Sequence, residues 1–348
     1  MDERLLAAVG KQDAYVVGGS VRDELLGRAV VDVDVACRDP RRAARAYAVA
    51  TGGARFALSD RHGAWRVAFA GDDVTVDFTP LPDGIEDDLR TRDFTMNAIA
   101  RPLAGGDYVD PLGGRDDLEE GVVRVVSEGA FRDDPLRLLR AVRFEDELGF
   151  RLEPGTERLV VRDAPLVTFP AGERVLAELE RLSPDGFRRL DELALLRPLG
   201  GSVERLARSD VVDTPGYLLV VIFGSALERL PISNERRRLA RTLLRAAPPA
   251  DASPRELHRF RARTEPWALE ALAFLGRADL YDALRAARAS EPRTPLLRGD
   301  ELGVPPGPSV GQMLERIAEE RAAGTISTRE EALELVRREA RRDPTSAT

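Results

Sequence analysis

The sequence predicts an α+β chain: a small mixed sheet with helices at the N-terminal end, then an all-helical remainder. Residues 30–36 alternate with period two, the spacing of a strand with one buried face, and 13–17, 54–58, 64–70 and 73–79 read as further short strands. That texture fades near residue 125. Beyond it, 134–149, 172–182 and 185–196 carry the apolar stripe of core-facing helices.

In order, residues 13–17 (DAYVV) form a short strand running into Gly18-Gly19, and SVRDELLG opens a helix with Val21, Leu25 and Leu26 at helical spacing. Residues 30–36 (VVDVDVA) return as a strand, the Ala/Arg-rich stretch 40–50 is helical, and strands follow at 54–58, 64–70 and 73–79. Short helices separated by Pro and Gly fill 202–290. The last helix, 328–342, starts at a capping box of Ser327 with Glu330 and stops at Asp343-Pro344, with frayed residues after it.

A chain of 348 residues with 43% hydrophobic content builds two or three packing units, and its 32% charged content is mixed in sign, which argues against global disorder. Cys37 is the only cysteine, so no internal disulfide forms, in keeping with a reducing cytoplasm. Met1-Asp2-Glu3-Arg4 does not begin a signal peptide, and no run of about 18 apolar residues marks a membrane span. The net charge of −8 argues mildly against a nucleic-acid binder, although binding needs only a local basic surface. Lys11 is the only lysine. A GC-rich coding bias accounts for this, and nearly every cationic contact must then use a guanidinium, which suits phosphates and base edges.

Asp32-Val33-Asp34 lies in the second strand. Residues i and i+2 share a face, so both carboxylates project together while Val31, Val33 and Val35 face a core. Adjacent carboxylates repel unless a cation neutralises them, and hard oxygen ligands suit Mg²⁺. Two such ions clamp the attacking and leaving oxygens of an in-line displacement. Asp77, in the strand VTVDF, is a candidate third ligand. Alone, the pair is weak evidence, because exposed strand faces carry such pairs with no metal. The upstream run Gly18-Gly19-Ser20-Val21-Arg22-Asp23 changes its weight. Glycines between a strand and a helix let backbone N–H groups approach a phosphate, and Arg22 sits in the first helical turn. A glycine pair alone is a tight turn; followed by the aspartate pair, it reads as a triphosphate cradle beside a metal site.

GGSVRDELLGRAVVDVDVA strongly resembles the class II tRNA nucleotidyltransferase and bacterial poly(A) polymerase family, part of the polymerase β-like superfamily. Further segments resemble that family in order: RDFTMNA from Arg92, DPLGG from Asp110 with Asp117-Leu118, DDPLRLLRAVRF from Asp133, Glu173-Arg174 with Glu178-Leu179, and near the end PPGPSVGQMLERI and GTISTREEAL. The resemblance covers about 13–197 and 296–337.

The resemblance implies a catalytic polymerase β-like head over 1–125, a helical neck over 126–200 that recognises the nucleotide base, and a helical body and tail over 201–348 that bind tRNA. It implies transfer of a nucleoside monophosphate from CTP or ATP to an RNA 3′-hydroxyl with release of pyrophosphate. Asp32 and Asp34 then hold Mg²⁺, with Asp77 as a further catalytic carboxylate. Gly18, Gly19, Arg22 and Arg92 belong to the triphosphate site, and Asp93 and Asn97 stand near the sugar. Guanidinium clamps of this kind stabilise charge on a transferring phosphoryl group.

Asp134 and Arg137 are three apart and share a helix face, with Arg140 and Arg143 continuing the row. A carboxylate accepts from an exocyclic amine and a guanidinium donates to a ring nitrogen or carbonyl, so the pair can read a base edge. The resemblance implies that it selects the incoming nucleotide without a template. Without the upstream motifs, the same pair is an ordinary surface ion pair.

The chain departs from the family pattern in places. Asp133 replaces a glutamate whose expected role is to hold Arg137, and Thr91 replaces the arginine preceding Arg92. Many members carry a longer flexible loop where this chain has only 78–88. That loop helps the site switch from CTP to ATP, and members adding only CC tend to lack it. The expectation is therefore a CC-adding enzyme, with a separate protein adding A. Only His62 and His258 exist and neither precedes an aspartate, so the HD phosphohydrolase activity of some members is not expected.

Residues 236–263 contain nine arginines against Asp251 and Glu256, the best candidate for phosphate contacts with tRNA: Arg236, Arg237, Arg238, Arg241, Arg259 and Arg261 stand out. A solvated helix face is the plain alternative. Rival functions are a poly(A) polymerase, which shares every head motif, a catalytically inactive RNA-binding module, and a small-molecule nucleotidyltransferase. The intact Asp32, Asp34, Arg92, Asp134 and Arg137 argue against the second, and the long helical C-terminal part argues against the third.

Overall fold

The computed structural model describes residues 3–59, 63–71, 74–206, 214–290, 292, 294–303 and 307–342. The expected stop at Asp343-Pro344, the residues after it and His62 lie outside these. The chain divides into two compact units, Met1–Leu199 and Gly200–Thr348.

The first unit opens with α1 (Glu3–Val9), β1 (Ala14–Val17), α2 (Gly19–Leu25), β2 (Asp32–Cys37), α3 (Pro40–Thr51), β3 (Ala54–Ser59), β4 (Ala64–Ala68), β5 (Thr75–Pro80), α4 (Ile85–Arg90) and β6 (Ala100–Pro102). Its six strands lie in the order β3-β4-β5-β2-β1-β6. Only β2 and β5 are parallel, because α3, β3 and β4 intervene and carry the chain back to the same end. Helix α3 is specified locally: the Asp39 side chain accepts from Arg42 N–H, Pro40 occupies its first turn, and Gly52 ends it at φ 75°. It covers one face of the sheet, where Tyr47 packs its ring 5.9 Å from Phe78.

On the other face, Val17, Ala36, Leu81, Leu89, Ala98 and Ala100 form a core cluster at one end. Burial therefore rises along β2, from exposed Asp32 through half-buried Val33 and Asp34 to fully buried Val35, Ala36 and Cys37. One expectation is corrected here: Val31 precedes the strand and is 47% exposed, so it does not join the core behind the aspartates.

Helices α5 (Gly114–Glu119), α6 (Ala130–Asp133), α7 (Leu136–Leu148), α8 (Pro154–Asp163), α9 (Gly172–Leu179) and α10 (Pro184–Glu192) complete the unit, with a two-stranded parallel pairing of β7 (Val122–Val123) and β8 (Arg151–Leu152). The central α7 buries Leu138, Leu139, Ala141, Val142 and Phe144.

The second unit contains α11 (Tyr217–Phe223), α12 (Asn234–Arg245), α13 (Pro254–Thr264), α14 (Ala268–Leu275), α15 (Tyr281–Ser290), α16 (Pro308–Ala322) and α17 (Arg329–Arg342). Helices α16 and α17 meet over Ile317, Ala332, Leu335 and Val336. The capping box of α17 lies one residue later than expected. Glu331 N–H donates to the Thr328 hydroxyl at 3.3 Å, and the Glu331 carboxylate accepts from Thr328 N–H at 3.0 Å. Among the described residues, no helix is long and apolar enough to cross a membrane.

Candidate active site

A cleft of about 580 Å³ in the first unit gathers most of the sequence-derived site. Its walls include Gly18, Gly19, Arg22, Asp32, Asp34, Arg92, Asp93, Asn97, Asp134, Arg137, Arg140 and Arg143. Residues more than 100 positions apart thus meet because the open end of β2 and the start of α7 face one space.

At the sheet end, Asp32 and Asp34 share a face by strand alternation. Gly18 adopts φ 74° where β1 turns into α2, and a Cβ there would sit 3.2 Å from Arg92 Nη1 and 3.4 Å from Asp34 Oδ2. The glycine is needed both for the backbone conformation and for that close approach. Burial pushes the Asp34 carboxyl up to about 6; Arg92 opposes the shift, while Asp77 and Asp32 add to it. Two hard-oxygen donors on one open strand end, one of them destabilised as an anion, fit a divalent cation.

Asp77, the candidate third ligand, is engaged elsewhere in this structure. It stands directly opposite Asp34 across β2 and β5, but Arg66 Nε and Nη2 donate to its two oxygens, each at 2.7 Å, and it does not line the cleft. Among the described residues, no three acidic, His or Cys side chains are grouped to hold a metal.

The segment after α4 is clamped by arginines. Arg22 donates to Asn97 Oδ1 at 2.9 Å and pairs with Asp23. Arg92 pairs with Asp88 at 2.7 Å. Asp93 is buried and accepts from Arg140 at 2.5 and 2.8 Å, from Asn97 Nδ2 at 2.9 Å and from Phe94 N–H. Burial opposes its charge, yet Arg140 and Asn97 more than offset this and hold the carboxyl below the usual range. The DPLGG segment supports the same turn: the Thr95 hydroxyl donates to Asp117 at 2.6 Å, and a Cβ on Gly114 would lie 2.1 Å from the Thr95 carbonyl oxygen.

The α7 reading needs two corrections. Asp134 is not on the helix: it precedes Leu136 in an extended conformation and accepts from Leu136 N–H at 3.2 Å, so a capping turn rather than i, i+3 spacing sets it near Arg137. Asp133 is exposed, and Arg137 instead donates to the Thr91 carbonyl at 2.7 Å. Arg143 borders the cleft but is only 3% exposed; Glu178 at 2.6 Å and Glu147 at 2.7 Å neutralise it. It braces α7 against α9. Phe144 collects three guanidinium groups, with Arg143 4.1, Arg22 5.1 and Arg140 5.3 Å from its ring centroid. Sequence reasoning gave no site role to Thr91, Phe144, Arg174 or Arg181, which also line the cleft. The ER-x-x-x-EL resemblance was the available signal for Arg174.

In the second unit, the expected RNA-binding arginines separate. Arg261 is buried and pairs with Glu265 at 2.9 Å, and Arg259 pairs with Glu319 at 2.7 Å and Glu256 at 3.0 Å, so neither is a free cation for phosphate. Arg241 pairs with Glu228 at 3.0 Å, and Arg237 donates to Asn234. Arg236 lies half-buried against Gly216, whereas Arg238 is exposed.

An aspartate pair at an open sheet end, beside a glycine turn and a guanidinium-lined cleft, is the arrangement of a nucleotidyltransferase head. Residues 14–81 and 66–124 match the poly A polymerase head domain. Similarity extends along the chain to the A-adding tRNA nucleotidyltransferase of Deinococcus radiodurans, 36% identical over 423 aligned positions that cover 96% of this chain and 97% of that protein. The CC-adding tRNA nucleotidyltransferase of Geobacter sulfurreducens is 32% identical, covering 94% and 92%. The Bacillus stearothermophilus CCA-adding enzyme, solved in complex with CTP, superposes with a TM-score of 0.74 at 28% identity, covering 98% of both chains. The chain belongs to the tRNA nucleotidyltransferase family.

Proposed function

We propose that this enzyme adds CC to the 3′ end of tRNA from CTP, leaving the terminal A to a separate enzyme. The connection after β5 carries the reading. Leu81 is buried in the core cluster and its N–H donates to the Cys37 carbonyl at 3.0 Å, and α4 already begins at Ile85. Three residues thus separate a core anchor from the next helix, leaving no span for the flexible loop that accompanies the switch to ATP.

In this reading the head is 1–125, the neck 126–200, and the body and tail 201–348. Asp32 and Asp34 hold Mg²⁺, which supplies charge neutralisation at the reacting phosphate. Arg22 and Arg92 flank the glycine turn and hold the triphosphate. Arg140 and Asn97 fix Asp93 beside the sugar. Asp134 accepts from the exocyclic amine of the base, and Arg137 donates to its ring edge. In the second unit, exposed Arg238 leads the contacts to tRNA phosphates.

Extension of tRNA lacking its 3′ CCA, with CTP and ATP present, tests this. Products two C residues longer are expected. Efficient complete CCA addition would overturn the loop argument. Inactivity on that substrate, with single A addition to tRNA ending in CC, would instead place the enzyme with its Deinococcus relative.

A further inference from the structure

Asp134, extended between α6 and α7, is held by a residue of α9. Arg174, in the first turn of α9, places Nη2 2.7 Å from Asp134 Oδ2 and Nη1 3.4 Å from Oδ1. With Leu136 N–H also on Oδ1 at 3.2 Å, that oxygen has two donors and Oδ2 has one. The backbone that carries Arg174 is fixed: α9 buries Val175, Leu176 and Leu179, and its Glu178 is locked to Arg143. The Arg174 side chain itself is 52% exposed and meets Asp134 at the cleft wall.

A carboxylate has about four lone-pair sites, so these three donors leave acceptor capacity on a side chain that lines the cleft. Ionised, Asp134 only accepts. Protonated, it also donates, and would welcome a carbonyl where cytosine and adenine present an amine.

We propose that Arg174 is a specificity-determining positioning residue: by clamping both oxygens of Asp134 it keeps the base reader an acceptor-only carboxylate with fixed orientation, so that cytosine, with its exocyclic amine, is taken and uracil, with a carbonyl there, is refused. This rests on the reading of Asp134 as the base-reading group. Burial of Asp134 disfavours its charge, and the Arg174 hydrogen bond reverses that effect, which agrees with the assignment.

Single-nucleotide extension of tRNA lacking CCA, with CTP or UTP alone, tests it in the full-length enzyme. Arg174→Ala should lower the CTP-over-UTP ratio of kcat/KM about tenfold or more, the effect of losing one oriented polar contact to a base edge. The loss should fall on KM for CTP, with kcat for CTP little changed. Arg174→Lys, which keeps a cation, should recover part of the ratio, and Arg174→Gln, which keeps only neutral donors, should recover less. Asp134→Asn serves as the reference and should lose the preference outright. An unchanged ratio in Arg174→Ala beside a lost ratio in Asp134→Asn would overturn the role of Arg174 alone. An unchanged ratio in Asp134→Asn would overturn the base-reader reading itself. Equal losses for CTP and UTP in all three Arg174 variants would mean that Arg174 only supports the fold.

Discussion

Asp77 stands in register with Asp34, yet its carboxylate belongs to Arg66, which reaches both oxygens at 2.7 Å. The pair shapes the field around Asp34, and Asp77 is proposed to act through it rather than as a ligand. Asp77→Asn is therefore expected to cost stability, about 1–2 kcal/mol after allowing for solvent screening of the half-exposed Arg66. It should slow catalysis far less than Asp34→Asn. Urea unfolding and kcat/KM on the two variants check this, and equal catalytic losses would return Asp77 to the metal site.

Acidity should act directly on cation binding. Protonation of Asp34 near pH 6 removes a ligand charge, so Mn²⁺ should bind several-fold more weakly at pH 5.5 than at pH 7.5, as titration calorimetry would read. The stability sign is the reverse of a salt-bridged aspartate. With a folded pKa above its ordinary value, Asp34 favours the metal-free fold at low pH and loses that contribution as pH rises through about 6. Asp34→Asn should then raise metal-free stability at pH 7.5 by about 1–3 kcal/mol, with the gain vanishing toward pH 4.

The opposite behaviour is expected of Asp93. Its carboxyl is held below the usual range, so its contribution is present above the ordinary aspartate value and is lost as pH falls through the folded one. Asp93→Asn leaves Arg140 partly buried without its main partner, and should cost about 3 kcal/mol at pH 7. Chemical denaturation at pH 7 and pH 3 should show the penalty shrinking at the lower value.

Gly18→Ala should damage the site more than the fold. The positive φ costs about 1–2 kcal/mol for a residue with a Cβ. The new methyl at 3.2 Å from Arg92 and 3.4 Å from Asp34 displaces one of the two. A fall in kcat of at least about tenfold, with far-ultraviolet circular dichroism unchanged, is the expected outcome.

Arg238→Glu is expected to raise KM for tRNA and flatten the dependence of log KM on log salt, by roughly one unit or less for one phosphate contact. Arg261→Glu should destabilise the second unit instead, because it places a carboxylate against Glu265 in a buried position. Thermal melting and tRNA kinetics on the pair separate the two roles.

Much of the site was readable in advance because it is built from short-range patterns. The alternation of VVDVDVA puts Asp32 and Asp34 on one face whatever the rest of the chain does, and Gly18 marks a backbone conformation that few other residues adopt. The start of α7 was less readable. A run such as DDPLRLLR reads as one helix, but the restriction imposed by Pro135 leaves Asp134 extended. The pairing of Arg66 with Asp77 depends on strand register, which no local pattern sets.

The basic stretch 236–263 shows the same limit from the other side. Its charge is a fact of composition, but whether each arginine is available depends on which acids other helices bring to it. Helix α16 delivers Glu319 to Arg259 from 60 positions away, and Arg174 reaches Asp134 across 40. Residue types, periodicity and turn chemistry act over a few positions, and they settle the strands, the helices, the glycine turn and the aspartate pair. Ion-pair partners, the burial that moves Asp34 to about 6 and the clamp on Asp134 arise only when distant segments pack, because desolvation and Coulomb energy depend on distance through space rather than along the chain.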